Sequence, residues 1–390
     1  MSTNIDVESA PQGTGANTIS LLLGHPDPST LMKPDLQTTI QQLLSQPQGM
    51  KALQYGSEQG APTLIRFLVE KINREQGLAI GAANIMIVGG STHAVDMIAR
   101  LYANEGDVVL VEAPSYTDSL HIFRDHGLEL RGLPMDEQGL IPAELVRQIT
   151  RLKAEGKRIA FMYTIPTFHN PTGVTLTEER KRMIARIAQA NGIRIVEDDV
   201  YRDLAFDGEA MLPTTFYALM QGENVFSIGS FSKTLAPGLR VGWLVGKAGE
   251  IENFVNCGTT QMGGGANPFA AQIVAEYCRS GQWTAHVEQL RSLYQRRCET
   301  TLAALKHYMP STVQWTHPTG GFFIWLTLPQ GFVAADFKKT ALAHGVAVAS
   351  GAGFFVHPDD GKRCIRLAFS FAALPDIERG VQILGGLLSG

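Results

Sequence analysis

The sequence predicts an α/β protein in two parts: a large domain whose mostly parallel sheet is covered by helices on both faces, and a smaller α+β domain built from both chain ends. Two observations support this fold class. From about residue 84, short β-rich runs alternate with helical patterns, which is typical of a parallel sheet buried between helices. After about residue 268, long helical runs are followed by a few strands, which indicates a second lobe.

The strands predicted for the large sheet are separated by helical patterns. One helix begins near residue 177, where Thr175 or Thr177 can cap its first turn, and it ends before Gly192. In chain order, the strand segments are IMIVGG, DVVLVEA, LELRGLP, RIAFMYT, RIVED, VFSIGS and LRVGWLVG.

The second lobe is predicted from the strand segment GGFFIWLTLP, a helix over residues 334–344, a strand near residues 364–369 and a final helix. The predicted boundaries are residues 46–280 for the large domain and 281–390 for the small C-terminal domain. Residues 1–45 are expected to pack with the small domain or with a partner subunit.

The charge balance argues against nucleic acid as a partner. The 390 residues carry 33 Lys and Arg against 37 Asp and Glu, a formal net charge of −4, with no long basic run. A surface that binds a phosphate backbone is normally basic.

The chain is predicted to be cytoplasmic, with no membrane association. Its N-terminus lacks the order of a secretory signal, and no stretch reaches the roughly 18 apolar residues of a membrane span. The four cysteines form neither a CxxC pair nor a zinc-type quartet, so buried, reduced thiols are expected.

The segment SFSKTLAPGLRVGW is the first candidate for chemistry. Lys233 lies there among apolar residues, where desolvation lowers the pKa of an amine and makes it nucleophilic. Ser230, Ser232 and Arg240 supply hydroxyl donors and a planar cation suited to a phosphate dianion. A solvated loop lysine is the ordinary alternative for such a short motif.

Four further motifs accompany this segment: YGSEQGAPTLIR from Tyr55, GGSTHAV from Gly89, HNPTG from His169 and EDDVY from Glu197. Together the five motifs resemble, in order and spacing, the fold-type I pyridoxal-phosphate (PLP) aminotransferases of class I/II, in particular those acting on 2-aminoadipate, kynurenine, aromatic or branched-chain amino acids. The resemblance runs from about Gly24 to Ser370. It implies PLP as cofactor and a homodimer with shared active sites.

The EDDVY motif follows a predicted strand, so its acids lie at a carboxyl strand end, where open α/β sheets bind ligands. The resemblance implies that Asp198 is the partner of the cofactor's ring nitrogen and that Tyr201 donates to the ring's 3-oxygen. Glu197 and Asp199 are interpreted as turn or ion-pair residues.

The resemblance assigns the Asn170 amide a second hydrogen bond to the 3-oxygen, while His169 is interpreted as an orienting or packing residue. Ser91 and Thr92 stand at a strand-to-helix junction, where free N–H groups bind anions, and are expected to hold the phosphate opposite Arg240. Ser91 can equally serve as a plain helix cap.

No histidine stands at metal-ligand spacing, so no metal is predicted, and His93 is interpreted as a packed helix residue. The resemblance gives Tyr116 the role of the ring that stacks on the cofactor, and Tyr55 that of the tyrosine that reaches the neighbouring subunit's phosphate. It implies that Arg366 binds the substrate α-carboxylate and that Gly24 lies against the substrate. Thr260 is a further candidate near the neighbouring phosphate.

The implied reaction moves an amino group from an L-amino acid to a 2-oxo acid through a Lys233 aldimine, with Lys233, Asp198 and Tyr201 as catalytic residues. The first arginine in the chain is Arg66, so an N-terminal arginine clamp for a distal carboxylate is not expected. The sequence therefore favours neutral or aromatic amino acids, or a broad range.

Two alternatives stay open at this point. A carbon–sulfur β-lyase of the same fold would share every motif. A PLP-sensing transcription regulator is less favoured, since the 54 residues before Tyr55 hold no arginine and two lysines, which suits no winged-helix domain.

Overall fold

The computed structural model of the chain describes residues 18–31, 34–208 and 212–389, so residues 1–17 of the predicted N-terminal segment lie outside it. The strands are β1 (Ile19–Ser20), β2 (Ile85–Val88), β3 (Val108–Ala113), β4 (Glu129–Asp136), β5 (Gly139–Leu140), β6 (Ile159–Thr164), β7 (Ile195–Asp198), β8 (Val225–Ser230), β9 (Gly242–Val245), β10 (Gln314–Trp315), β11 (Phe323–Thr327), β12 (Val346–Ala347), β13 (Ala349–Ser350) and β14 (Cys364–Ala368).

The helices alternate with the strands of the large sheet and then dominate the C-terminal part. They are α1 (Pro34–Ser45), α2 (Pro47–Ala52), α3 (Pro62–Gln76), α4 (Ser91–Tyr102), α5 (Thr117–Asp125), α6 (Pro142–Ala154), α7 (Glu178–Asn191), α8 (Phe216–Leu219), α9 (Ala248–Val255), α10 (Pro268–Arg279), α11 (Gln282–Tyr308), α12 (Ala334–Ala343) and α13 (Leu374–Ser389), with a π-helical turn at Thr260–Gly264. Short 3₁₀ turns occupy Pro28–Thr30, Ala82–Asn84, Arg202–Leu204, Pro237–Leu239, Gly351–Phe354 and Pro358–Gly361.

The large sheet has the strand order β2-β9-β8-β7-β6-β3-β4-β5. Its centre is parallel, because β4, β3, β6, β7 and β8 pair in parallel, whereas β2–β9, β8–β9 and β4–β5 pair antiparallel. The central strands β3, β6 and β7 are buried along most of their length, as in a sheet covered on both faces. The predicted α/β class with a large helix-covered sheet is confirmed, and the sheet is mixed at its two ends.

Strand β9 runs antiparallel because of its connection. A parallel neighbour needs a crossover of a dozen or more residues, usually a helix. Here the chain turns back within residues 231–241 and pairs Ser230 of β8 with Gly242 of β9. Val88 of β2 pairs with the same Gly242, so the carboxyl ends of β2 and β8 lie at one edge of the sheet.

The helix predicted near residue 177 shows how local chemistry sets its bounds. The Thr177 hydroxyl accepts a hydrogen bond from the Arg180 amide at 3.4 Å and caps the first turn of α7. Gly192 ends the helix with φ = 65°, the left-handed conformation that glycine adopts without steric cost.

The second lobe combines C-terminal elements with the beginning of the described chain. Strands β10, β11, β14 and β13 form an antiparallel sheet in that order. Strand β1 pairs in parallel with β12, matching Ile19 with Val346, so the smaller part draws on both chain ends as predicted. The boundaries at residues 45 and 280 stay a prediction.

One apolar cluster joins the two lobes, because it includes Val88 and Phe161 of the large sheet together with Ile324, Leu367 and Val381 of the C-terminal part. Burial of this shared surface stabilises both lobes together. Across residues 18–31, 34–208 and 212–389, none of the helices combines the length and the apolar character needed to span a bilayer.

Candidate active site

The carboxyl edge of the large sheet brings Lys233 and Asp198 together. Lys233 lies in the turn after β8, and its Nζ donates to the carbonyl oxygen of Gly24 at 3.3 Å. Burial, then the positive charge of Arg366, lower the pKa of the Lys233 amine to about 8, while the Asp198 carboxylate opposes that shift. About a tenth of this amine is therefore uncharged at pH 7, far more than for an ordinary lysine.

Asp198 ends β7 and is 5% exposed. Its Oδ2 accepts a hydrogen bond from the Tyr163 hydroxyl at 2.7 Å, and Ser119 Oγ donates to that hydroxyl at 2.9 Å. Oδ1 is buried and has no hydrogen-bond partner among the described residues. Burial raises the pKa of Asp198 to about 6, with Asp199 raising it further and Tyr163 and Lys233 lowering it.

Tyr201 follows in the turn after β7. The Lys233 ammonium lies 5.7 Å from the centre of its ring. The Tyr201 ring also packs edge-on against Phe322 and Phe323, with centroid distances of 5.5 and 5.8 Å. These contacts hold the aromatic ring beside the amine.

A candidate anion-binding turn lies next to Lys233. Helix α4 begins at Ser91 after Gly90, and no side chain caps its first amides, so Ser91 is the first helical residue and not the cap. Arg240 Nη2 donates to the carbonyl oxygen of Gly89 at 3.2 Å. Gly90 has φ = 87°, and a Cβ there would stand 2.6 Å from Arg240 Nη2, so the approach of the guanidinium requires glycine.

The four hydroxyl groups expected at this turn come from two places: the end of β8 with the residues after it, and the start of α4. Ser230 and Ser232 are in contact, since their Oγ atoms are 2.9 Å apart and Ser232 N donates to Ser230 Oγ at 3.1 Å. Ser91 and Thr92 begin α4 on the other side. Free helix amides, hydroxyls and a guanidinium in one place suit a phosphate.

Arg366 and Asn170 meet on the side that faces the second lobe. Arg366 Nη1 donates to Asn170 Oδ1 at 3.1 Å, and Nη2 donates to the carbonyl oxygen of Leu22 at 2.8 Å. The guanidinium lies 4.5 Å from the ring centre of Phe323 and 4.9 Å from that of Phe354. Arg366 is 1% exposed, so its charge stands in a desolvated aromatic setting.

Tyr116 and Gly24 border the same region. Tyr116 precedes α5 and is half-buried, and its hydroxyl hydrogen-bonds to Asp118. A Cβ on Gly24 would come 2.6 Å from the Phe323 ring, so the close packing there admits only glycine.

Tyr55 and Thr260 stand apart from these residues. Tyr55 is 84% exposed, and both line a cavity of about 550 Å³ that Lys233 and Asp198 do not border. Within the described chain the structure does not bring these two candidates to the amine.

The two histidines near the site pack as expected. His93 Nδ1 accepts from the Gly89 amide at 3.1 Å, and burial lowers the pKa of this imidazole. His169 lies buried, with its Nδ1 2.9 Å from Thr172 Oγ1. In the parts of the chain that the structure describes, no three His, Cys, Asp or Glu side chains cluster as metal ligands would. Cys278 and Cys298 are buried as expected, whereas Cys257, in the turn after α9, and Cys364, at the start of β14, are only half-buried.

Sequence reasoning missed Tyr163, Ser119 and Glu112. Tyr163 and Glu112 are polar side chains inside apolar strands, β6 and β3, whose burial obliges each to find a partner. That pattern was available from the sequence, but the partners follow only from the register of β3, β6 and β7.

Comparison with known proteins gives a consistent result. The model of the family "Aminotransferase class I and II" matches residues 19–382. Aromatic-amino-acid aminotransferase 1 of Thermococcus litoralis is 34% identical over 95% of this chain and 87% of its own length. An uncharacterized HTH-type transcriptional regulator of Bacillus subtilis is 33% identical over 87% of this chain and 68% of its own length. The crystal structure of Pyrococcus horikoshii kynurenine aminotransferase, in complex with PMP, superposes with a TM-score of 0.90 at 33% identity, covering 96% of this chain and 91% of that one.

Fold, site and comparisons together define a PLP-dependent enzyme of fold type I. The residues present fit that cofactor: Asp198 Oδ1 is a buried acceptor in need of a donor, and the turn at Gly90 has free amides beside a guanidinium. The chain belongs to the aminotransferase class I and II family and is an aminotransferase.

Proposed function

We propose that this aminotransferase acts on neutral and aromatic L-amino acids over a broad range, passing the amino group to a 2-oxo acid. The observation that carries the proposed site is the buried Asp198 carboxylate with its unpaired Oδ1, at the same sheet edge as the Lys233 amine. The roles below follow from that arrangement.

Asp198 and the anion-binding turn hold the two ends of the cofactor. When bound, PLP supplies an electron sink that stabilises negative charge at the substrate Cα. Asp198, ionised above a pKa of about 6, keeps a proton on the ring nitrogen. The phosphate is held by Ser91, Thr92, Ser230, Ser232 and Arg240.

Lys233 is the residue that carries the cofactor and moves the proton. Its pKa of about 8 leaves part of the amine unprotonated near neutral pH, as a nucleophile and a general base require. The Gly24 carbonyl, 3.3 Å away, orients the amine. With the cofactor bound, Lys233 would be placed to take a proton from the substrate Cα and to return it.

Tyr201 and Asn170 would donate to the ring's 3-oxygen, and Tyr116 would stack on the ring. Because Arg366 donates to Asn170 Oδ1, the amide nitrogen of Asn170 is directed elsewhere and remains a donor. Arg366 presents its fork to the substrate α-carboxylate. Gly24 lies against the substrate in this proposal, and its missing side chain lets the Phe323 ring pack closely against it.

The preference for neutral or aromatic side chains follows from the surroundings of Arg366. Phe323 and Phe354 flank its guanidinium, and Phe354 belongs to an apolar cluster with Trp325 and Leu22. An apolar lining of this kind favours an apolar side chain over a second carboxylate. The apolar lining carries this preference, and the names of the matched relatives do not, because they include aromatic amino acids, kynurenine and 2-aminoadipate.

We also propose a homodimer in which Tyr55 reaches the neighbouring subunit's phosphate and Thr260 lies nearby. Tyr55 is accompanied by unusually exposed apolar side chains, namely Met50 (79%), Leu53 (69%) and Met262 (92%). A patch of this kind marks an interface. The four cysteines are free thiols, which suits a reducing, cytoplasmic setting in amino acid metabolism.

A donor screen tests the proposed substrates. The purified holoenzyme is mixed with single amino acids, and the loss of its visible absorbance is followed, then its recovery on adding a 2-oxo acid. Phenylalanine or leucine should be preferred to glutamate and 2-aminoadipate. A preference of more than about a hundredfold for dicarboxylic donors, about 3 kcal/mol, would contradict the proposal.

A further inference from the structure

A buried carboxylate lies behind the loop that presents Asn170. Glu112, near the carboxyl end of β3, is 1% exposed in a strand that is otherwise apolar. Its Oε1 accepts from Thr164 Oγ1 at 2.7 Å and its Oε2 from the Ile165 amide at 2.9 Å. A buried carboxylate is costly unless hydrogen-bond donors surround it, so these two contacts offset part of the cost of burying Glu112.

The remaining contact of this carboxylate is with His169. Nε2 of His169 lies 3.1 Å from Glu112 Oε2, and both side chains are almost fully buried. On the other side of the ring, the Thr172 amide donates to Nδ1 at 3.4 Å. Because an amide N–H can only donate, this contact favours Nδ1 as the acceptor and Nε2 as the protonated nitrogen. The approach of Nε2 to Glu112 is a close contact between the two groups and not an aligned hydrogen bond.

His169 also binds both ends of its own loop. Its backbone amide donates to the Val174 carbonyl oxygen at 2.9 Å, and its carbonyl oxygen accepts from the Gly173 amide at 2.6 Å. Between these contacts lies Asn170, whose Oδ1 accepts from Arg366 Nη1 at 3.1 Å. A chain of contacts therefore runs from Glu112 through His169 and Asn170 to Arg366.

We propose that Glu112 and His169 are positioning residues that fix Asn170, and through it Arg366, in the orientation that the substrate needs. This inference rests on the proposed roles of Asn170 and Arg366. Glu112 selects the orientation and the protonated nitrogen of the His169 ring, and the ring holds the loop. Neither residue touches the cofactor or the substrate.

The expected cost follows from geometry. Groups that bind and align a substrate lose up to about a hundredfold in rate when displaced by about 1 Å. Glu112→Gln keeps the volume of the side chain and removes its charge. Its NH₂ can face the Thr164 hydroxyl, which can accept, so the loss falls on the two contacts at the other oxygen, from His169 and the Ile165 amide. The KM for the amino acid should rise about tenfold. The midpoint pH of the cofactor's visible absorbance should move upward, because the Asn170 donor to the 3-oxygen is displaced.

A double-mutant cycle with Asn170→Ala separates positioning from general damage. If Glu112 acts through Asn170, the double variant should have the KM of Asn170→Ala alone. Thr164→Val is the matched control: it removes another buried donor to Glu112 and leaves His169 in place, so its KM should stay within about twofold of wild type. His169→Gln replaces Glu112→Gln if the latter does not fold, as judged by thermal unfolding of the holoenzyme.

The outcomes are distinct. Additive effects of Glu112→Gln and Asn170→Ala, an unchanged KM in Glu112→Gln, or an equal rise in Thr164→Val would each overturn the positioning role. If Asn170→Ala itself leaves both the KM and the absorbance midpoint unchanged, the proposed role of Asn170 fails, and the inference fails with it for that separate reason.

Discussion

Two regions of this molecule differ in how complete they are within one chain. At the carboxyl edge of the large sheet, Lys233 and Asp198 are enclosed and already carry shifted pKa values, to about 8 and about 6. Around Tyr55 and Met262 the chain is open, with side chains 84% and 92% exposed. Burial within one chain is enough to shift the pKa values in the first region. The second region is an exposed surface that can be completed by another molecule.

The largest expected effect comes from the enclosed region. Lys233→Ala should remove the visible absorbance of the bound cofactor and reduce turnover by about 10⁴-fold, since it deletes both the nucleophile and the proton carrier. Lys339→Ala, which removes an exposed lysine paired with Asp336, is the control and should behave as wild type. Full turnover in Lys233→Ala would contradict the assignment of the enclosed region as the active site.

Asp198→Asn tests the buried carboxylate. Without its charge the ring nitrogen loses its partner, and turnover should fall by about 10²–10³-fold, measured as kcat at saturating cofactor. The neighbouring Asp199→Asn is the matched control, because Asp199 only pairs with Arg202 at 3.4 Å. Removal of its charge lowers the pKa of Asp198 and should cost little. Equal losses in the two variants would argue against Asp198 as the partner.

The open region should show a smaller effect that depends on assembly. Tyr55→Phe is expected to weaken PLP binding about tenfold, through one lost hydrogen bond to an anionic group, without changing the fold. Dimers mixed from Tyr55→Phe and Lys233→Ala chains sharpen this: one of their two sites then combines Lys233 with a neighbour's Tyr55. A tight site at one PLP per mixed dimer is expected, and its absence would place Tyr55 outside the shared site.

The smallest effect concerns Tyr163. Tyr163→Phe removes the hydrogen bond that lowers the pKa of Asp198, so that pKa should rise above about 6. Ionised Asp198 is lost as the pH falls through its pKa, so the variant should lose about threefold more activity than wild type at pH 6 and little at pH 8. Tyr217→Phe, a buried tyrosine bonded to the Gly246 carbonyl, is the control. An unshifted pH profile in Tyr163→Phe would show that burial alone sets the pKa.

The sequence predicted which residues meet in the enclosed region better than it predicted the hydrogen bonds between them. The alternation of strands and helices, a threonine cap at residue 175 or 177 and the meeting of Lys233 with Asp198 were predictable, because each rests on local pattern or on the common edge of parallel strands. The structure places the cap at Thr177. The reversed direction of β9 follows from a short connection whose length could have been read. The bonds of Tyr163 and Glu112 were out of reach, since they depend on which residues face each other across β3, β6 and β7. The roles assigned to the site residues remain predictions.

The turn between β8 and β9 has one more consequence. Lys233 and Arg240, the side chains proposed for the reacting carbon and the phosphate of the cofactor, lie on the same connection, whose ends are joined by the pairing of Ser230 with Gly242. The distance between these two side chains is therefore limited by a short stretch of chain within one lobe. Arg366, by contrast, stands on a strand of the other lobe. A substitution that changes the angle between the lobes can therefore move Arg366 and alter substrate preference, while Lys233 and Arg240 keep their spacing.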